Sequence, residues 1–452
     1  MPDDPVPNQQ LAEDEISGLP TKALFVDMLT RDLMLDRAVL DLIDNSIDGA
    51  KRLRPGQDND FTGLEITVEL DKDHFRINDN CGGIGIDVAK YYAFRFGRPK
   101  GMVPTPGSVG QFGVGMKRAL FKFGREFEIK STTTSDYLRL TVNVDAWEAD
   151  EKNWSFKFAE MEKERATSVD RTGTDINVTR LRENVSGSFA LEYFRNNLGR
   201  EIQDAQQQYI DQGLRIVFDG RTLLAAPWKL FAGQGIEPAR IEDKIDVKDN
   251  PNPVFVRIFA GISDSSPRQA GWNIFCNGRM VLSADQSSTT GWSTLAEEET
   301  VIPKYHNQYA RFRGFVFFDC ADASLLPWNT TKTGVDEDSA IYKRTLLLMI
   351  EAMRPIIDFL NALDAENDNE PNERPFTTAL RATQMVAVRS ITRVGKFAKP
   401  TPAVPTGPPM ARISYPKPRP QLEALQAELN TGSAKETGEV SFDLAYKKYV
   451  GE

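Results

Sequence analysis

Apolar residues recur at helical spacing between Leu35 and Arg54. At about 100° per residue, Leu35, Val39, Leu42, Ile43, Ile47 and Ala50 share one side of a helix, and Asp41, Asp44, Asn45 and Asp48 share the other. The stretch AVLDLIDNSIDGAKR, residues 38–52, is therefore predicted to be an amphipathic helix. Helical patterns cover about 22–54 and stop near Arg54-Pro55, where proline ends the run. FTGLEITVEL (61–70) and DHFRINDN (73–80) read as a strand pair joined by a tight turn. A glycine cluster follows, then a helix at about 86–96, a Gly- and Pro-rich loop at 97–115 and a helix at about 115–124. Strand patterns at 126–133, 137–145, 153–159 and 173–181 complete an α+β unit, with helices over one face of a mixed sheet.

A second unit starts near 187. It has a helix at about 189–207, strand patterns in RIVFDG, PVFVRIFAGI, GWNIFCNGRMVL and RFRGFVFFDC, and a closing helix at about 338–363. The expected division is an arm at 1–20, a first domain at 21–185, a second at 186–363 and a tail at 364–452. The tail begins acidic and turns basic: from Arg374 to Pro420 there are nine Lys and Arg and no Asp or Glu. KPTPAVPTGPP inside it reads as a Pro-rich spacer, and about 420–429 as a short helix.

A chain of 452 residues with 40% hydrophobic and 27% charged residues fits a globular protein of two or three domains. Its net charge of −10 argues against a polyanion binder acting through its whole surface. The acidic start has no apolar core of a signal peptide and no run reaches the length of a membrane span, so a cytoplasmic location is expected. Three widely spaced cysteines suggest a reducing compartment, and two histidines make a zinc site or a Ser-His-Asp triad a poor fit.

Four stretches carry candidate chemistry. On the first helix, Asp41 and Asn45 are four apart, one turn above each other. A carboxylate there can take a proton from water, and a carboxamide oxygen can help hold a hard cation such as Mg²⁺. In NDNCGGIGI (78–86), Asp79 ends a strand where its carboxylate can accept from an exocyclic amine, and Gly82, Gly83 and Gly85 let a flat ring or a phosphate approach the backbone. In GSVGQFGVGMKRAL (107–120), glycines precede a helix start, whose free N–H groups suit phosphate, with Lys117 adding charge. In RTGTDINV (171–178), Thr174 can offer a hydroxyl to a base or a bridging water. Taken singly, each has a plain structural reading: a solvated helix face, an Asx-capped turn, a loop, a strand threonine.

Taken together, LDLIDNSIDGA, DNCGGIG, GQFGVG and the Gly-Thr strand resemble, in order and spacing, the motifs of the GHKL ATPase superfamily across about residues 22–181. That superfamily includes the gyrase B subunit, the ninety-kilodalton heat-shock chaperone, MutL, histidine kinases and MORC proteins. The resemblance implies a Bergerat-type α/β sandwich that binds ATP with Mg²⁺. Asn45 would hold the metal. Asp79 would bind the adenine amino group, with Thr174 in support, and Gly83 and Gly85 would make room for the nucleotide. Gly110, Gly113, Val114, Gly115 and Lys117 would wrap the phosphates under a closing lid. Asp41 stands where hydrolysing members carry Glu as general base; being one methylene shorter, it implies slow turnover.

The second unit resembles the transducer domain, of ribosomal-S5 type, that follows the ATP domain in gyrase, MutL and MORC relatives. Lys332, in the loop NTTKTGVDED (329–338), stands where their lysine reaches the γ-phosphate. It would stabilise charge in the transition state. Arg279 is read as structural or at a domain contact. Neither His74 nor His306 fits a phosphoacceptor, so a histidine kinase is disfavoured. The function expected is an ATPase clamp, an ATP-dependent homodimer acting in DNA transactions or anti-phage defence. The 374–420 segment could contact DNA, a nuclease or other effector is a candidate partner, and no membrane is involved. A chaperone-like ATPase with a protein client, and an ATP-sensing module with negligible turnover, are the alternatives.

Overall fold

The computed structural model describes residues 21–55, 60–95, 106–110, 115–150, 153–296, 299–300, 302–329, 331–368, 374–401, 413 and 415–451. The expected arm at 1–20, Gly113 and Val114 lie outside the described residues. Residues up to Thr401 form one compact unit and Pro402–Glu452 another.

The first helical run is two helices, α1 (Lys22–Thr30) and α2 (Leu35–Leu53). The apolar stripe of α2 is buried beyond its first residue: Leu35 is half-buried, while Val39, Ile43, Ile47 and Ala50 have no exposed surface. It lies against β1 (Glu65–Leu70) and β2 (Phe75–Asp79), which pair antiparallel from Leu70–Phe75 to Ile66–Asp79. Asp71 fixes their turn, its carboxylate accepting from the backbone N–H groups of Asp73 and His74. The expected helix at 86–96 is a single turn, α3 (Ile86–Val88), running into a π-helical turn at Ala89–Ala93. Then come α4 (Gly115–Phe123), β3 (Gly124–Thr132) and β4 (Tyr137–Asn143). The expected strand at 137–145 stops at 143, because the Asn143 side chain accepts from Ala146 N–H and starts α5 (Val144–Ala149). The next strand is β5 (Phe158–Glu162), later than the expected 153–159, and β6 is Gly173–Leu181.

The helix expected at 189–207 is three: α6 (Glu183–Ala190), α7 (Glu192–Ala205) and α8 (Gln207–Asp211). The hairpin β7 (Arg215–Phe218) and β8 (Arg221–Leu223) does not belong to the second sheet, where the sequence reading puts it. β7 pairs parallel with β1, giving an eight-stranded mixed sheet in the order β5-β4-β3-β6-β2-β1-β7-β8. The division expected at 185/186 therefore falls inside this sheet. A parallel partner 150 residues away leaves no local sequence signal.

Past β9 (Lys229–Ala232), the second sheet is built from β10 (Ala239–Ile245), β11 (Val254–Ile262), β12 (Gly271–Cys276) and β13 (Arg279–Asp285). A short hairpin, β14 (Leu295–Ala296) and β15 (Glu299–Thr300), precedes its last strand, β16 (Phe312–Asp319). The order is β10-β11-β16-β12-β13, with β12 and β16 parallel. Asn277 and Gly278, at φ +48° and +87°, make the two-residue turn between β12 and β13. Helix α9 (Ala340–Ala365) buries Met349, Met353, Ile356 and Phe359 in the core that also holds Trp272 and Phe312.

The tail expected from 364 is divided at Thr401. The Glu366 carboxylate caps α10 (Pro375–Arg381), accepting from Phe376 N–H and Thr377 N–H at 2.7 and 2.8 Å. β17 (Gln384–Ala387) pairs with β9, Phe397 packs on Phe359, and Val388 and Ile391 join the buried aromatic cluster of Phe259, Phe275, Phe315 and Phe317. Beyond 401, α11 (Arg419–Leu429) and α12 (Ala434–Tyr449) form the separate unit, with Thr437 its one buried side chain among the described residues. Among the described residues no helix is long and apolar enough to cross a membrane, and all three cysteines are free and buried.

Chains ending at 401 and at 373 should differ sharply. The first should keep the full-length urea midpoint. The second, losing β17 and several buried side chains, should unfold at clearly lower urea, as chemical denaturation followed by tryptophan fluorescence would read.

Candidate functional site

The polar side of α2 is not a solvated face. Asp44 is completely buried, and Asp48 and Ser46 are 5% and 7% exposed; only Asn45 is exposed and Asp41 partly so. Each buried group is matched to a separate element, so one helix face organises the whole site.

Ser46 Oγ donates to Asp79 Oδ2 at 2.6 Å. Asp79 Oδ1 accepts from Cys81 N–H at 2.8 Å and from Thr174 N–H at 3.2 Å. Burial pushes the Asp79 carboxyl above its usual range, and these three hydrogen bonds pull against it. β2 and β6 place Asp79 opposite Thr174, whose hydroxyl lies 3.1 Å from Ser131 Oγ. Ser131 also accepts from Ile84 N–H at 2.7 Å, tying down the glycine-rich turn. Gly83 sits at φ +71°, and a Cβ there would collide with the Thr132 carbonyl oxygen. Gly85 is less restricted: its nearest neighbour would be Asp136 Oδ2 at 3.1 Å. On α2, a Cβ at Gly49 would lie 2.5 Å from the Cys81 carbonyl oxygen, so this glycine lets the Asp79 turn lie on the helix.

Asp48 holds the start of the glycine-rich segment. Its two oxygens accept from Val109 N–H and Gly110 N–H, both at 2.7 Å. Burial raises this carboxyl too, with the nearby Lys51 charge opposing. Lys51 Nζ donates to Gly107 O at 2.7 Å, to Tyr209 Oη at 3.0 Å and to Asn277 O at 3.2 Å. Asn277 in turn donates from Nδ2 to Ser108 O and Cys320 O, and Gly107 N–H donates to Ala321 O. The foot of the segment, 107–110, is thus bonded to α2 and to the second sheet at once. Its far end returns at Gly115, where a Cβ would lie 3.0 Å from Asp41 Oδ2. Asn45 Oδ1 lies 3.6 Å from the corresponding point on Gly110.

Lys332 reaches α2 from the second half of the chain. The Asn329 side chain braces its loop, accepting from Thr333 N–H and the Thr331 hydroxyl, both at 3.0 Å, and Lys332 adopts φ +53°. A left-handed lysine is held only where its surroundings demand it. Its Nζ donates to Asp44 Oδ2 at 2.8 Å and to Asp41 Oδ1 at 3.3 Å. Asp44 Oδ1 accepts from Gln206 Nε2 at 2.9 Å and lies 3.3 Å from Arg279 Nε. Burial alone would raise the Asp44 carboxyl, but the Lys332 and Arg279 charges and the hydrogen bonds from Lys332 and Gln206 hold it below its ordinary value. Burial likewise opposes the Lys332 ammonium, and Asp44 and Asp41 overcome that and raise it.

Lys117 is 3% exposed and its Nζ donates to Ala93 O at 2.8 Å, beneath the π-helical turn. Ser46, Ser131, Asp44, Asp48, Lys51, Gln206 and Asn277 are missed by the sequence reading. Spacing on α2 pointed to the two aspartates, but partners up to 288 residues away are invisible locally. The residues fit a magnesium nucleotide: Asn45 offers an exposed oxygen beside the glycine-rich segment, where Mg²⁺ would neutralise phosphate charge.

Residues 33–175, which contain this helix, the Asp79 turn and the strand of Thr174, match the family described as Histidine kinase-, DNA gyrase B-, and HSP90-like ATPase. The chain carries a GHKL-type ATPase domain, and as the architecture requires it is mixed α+β. No curated protein matches the chain significantly.

Lys117 gives a pH test. Burial lowers its ammonium from 10.5 to about 8, so between these values the unfolded chain holds a proton that the folded chain has lost. The penalty for burying its charge is fully present below about pH 8 and fades as pH rises toward 10.5. Raising pH from 7 to 10 should therefore shift the unfolding free energy in favour of wild type over Lys117→Met, with a slope of up to about 1.4 kcal/mol per pH unit in urea titrations.

Proposed function

We propose that this chain hydrolyses ATP to ADP and phosphate with Mg²⁺, and that nucleotide binding closes the glycine-rich segment and pairs two protomers into an ATP-gated clamp. The observation that carries the reading is convergence on Asp41. The start of α4 lies against one carboxylate oxygen and Lys332, from the second half of the chain, meets the other.

In this reading Asp79 takes the adenine amino group, with the Thr174 and Ser131 hydroxyls in support. Gly83 leaves the backbone open to the ring, and Gly85 lies beside it. Asn45 holds the metal, which neutralises phosphate charge. Gly110, Gly115 and, once drawn from Ala93 O, Lys117 contact the phosphates, together with Gly113 and Val114. Asp41 accepts the proton of the attacking water, and Lys332 acts as the transducer lysine, offsetting charge on the terminal phosphate. The second sheet, bonded to the segment foot through Asn277 and Ala321, moves with it.

A DNA contact through 374–420 gains no support from the packing. Arg389 pairs with Asp211 at 2.8 Å, Lys396 with Glu351 at 2.7 Å and Arg419 with Glu423 at 3.1 Å. These pairs are solvent-exposed, hold little free energy and involve three of the segment's nine basic residues; the clamp's client is not assigned. One observation favours a second reading, an ATP-sensing switch with negligible turnover: Lys332 Nζ already sits 3.3 Å from Asp41 Oδ1, occupying space that an attacking water would need.

Steady-state phosphate release separates the two. Hydrolysis in wild type should fall about 100-fold or more in Asp41→Asn, with ATP binding retained, and Asn45→Ala should lose Mg-dependent binding. Binding without any wild-type turnover would select the switch. Light scattering after size exclusion should give twice the protomer mass with a non-hydrolysable ATP analogue and not with ADP; a monomer at saturating analogue would remove the clamp.

A further inference from the structure

Asp44 neighbours Asn45 in sequence, but its carboxylate faces the second half of the chain. It is completely buried, while Asp41 keeps 22% of its side chain exposed. Lys332 therefore has two unequal carboxylates: a buried one at 2.8 Å and a partly exposed one at 3.3 Å. We infer that Asp44 is the positioning residue for Lys332, and that a terminal phosphate displaces only the lysine's Asp41 contact, so that ATP, unlike ADP, frees Asp41 to act as base. This rests on the ATPase reading above and adds to it the device by which the site tells the two nucleotides apart.

The charges favour this order of exchange. Two carboxylates, Asp41 and Asp44, face two cations, Lys332 and Arg279, in a cluster closed to water on the Asp44 side. Taking Lys332 away from Asp44 would break a short, fully buried, charge-assisted bond. Taking it away from Asp41 breaks a longer bond at a rim that water can reach, which is the cheaper of the two. Arg279 Nε and Gln206 Nε2 hold the other oxygen of Asp44, so the carboxylate stays fixed while the lysine tip turns.

Calorimetric titration of a non-hydrolysable ATP analogue and of ADP into wild type, Asp44→Asn, Lys332→Met and the double variant tests the inference. Wild type should prefer the analogue. Each single variant should lower that preference about tenfold, roughly the worth of one charge-assisted hydrogen bond, and the double variant should lower it no further. A folded Asp44→Asn with wild-type preference, or effects that add in the double variant, would overturn it. Should Asp44→Asn fail to fold, Asp44→Glu keeps the charge but displaces the lysine; it is expected to lower the preference, and wild-type preference in that variant overturns the inference equally. If Lys332→Met changes nothing, the assignment of Lys332 itself fails; if wild type binds no nucleotide, the ATPase reading fails.

Discussion

A carboxylate with no exposed surface must bring its counter-charges with it, and Asp44 takes them from Lys332 and Arg279 on the second sheet's side of the chain. Removing one partner of such a pair costs about 3–5 kcal/mol, a large part of a domain's stability. The two sheets are therefore tied together at the helix that carries Asp41 and Asn45. A hydrophobic contact would hold them as firmly, but only a charged one can be rearranged by a ligand that carries charge.

The same helix organises the other connections. One turn along, Asp48 holds the foot of the glycine-rich segment, and Lys51 joins that foot to Tyr209 and Asn277. Ser46 and Gly49 seat the Asp79 turn on the far side. A single buried polar face thus touches the Asp79 turn, the glycine-rich segment and the second sheet. Since interiors pack as solids, a shift in one is felt in the others.

Much of this was legible from residues alone. The 3.6-residue period marked α2, alternation marked β1, β2 and the later strands, and the order of glycine-rich stretches gave the ATPase resemblance over residues that the family match then covered. Lys332 lies in the loop between β16 and α9, with its Nζ reaching Asp44 and Asp41. What stayed hidden depends on distance along the chain. The parallel β1–β7 pairing and the return of 374–401 onto β9 leave no periodic trace. Asp44 and Asp48 looked like a solvated face because burial of a polar residue depends on partners that arrive from 61 to 288 residues away. Local turn chemistry also misled: Asn143 ends a strand by capping a helix, which alternation alone does not register.

In the proposed function, the glycine-rich segment and the Lys332 loop read the nucleotide together through α2. Hydrogen exchange with mass spectrometry on the full chain tests it most directly, comparing a non-hydrolysable ATP analogue with ADP, both with Mg²⁺. The analogue should slow exchange in 106–110, 115–123 and 331–336 together, and ADP should leave 331–336 unchanged. Protection of the segment without the Lys332 loop, or the same pattern with ADP, would contradict it.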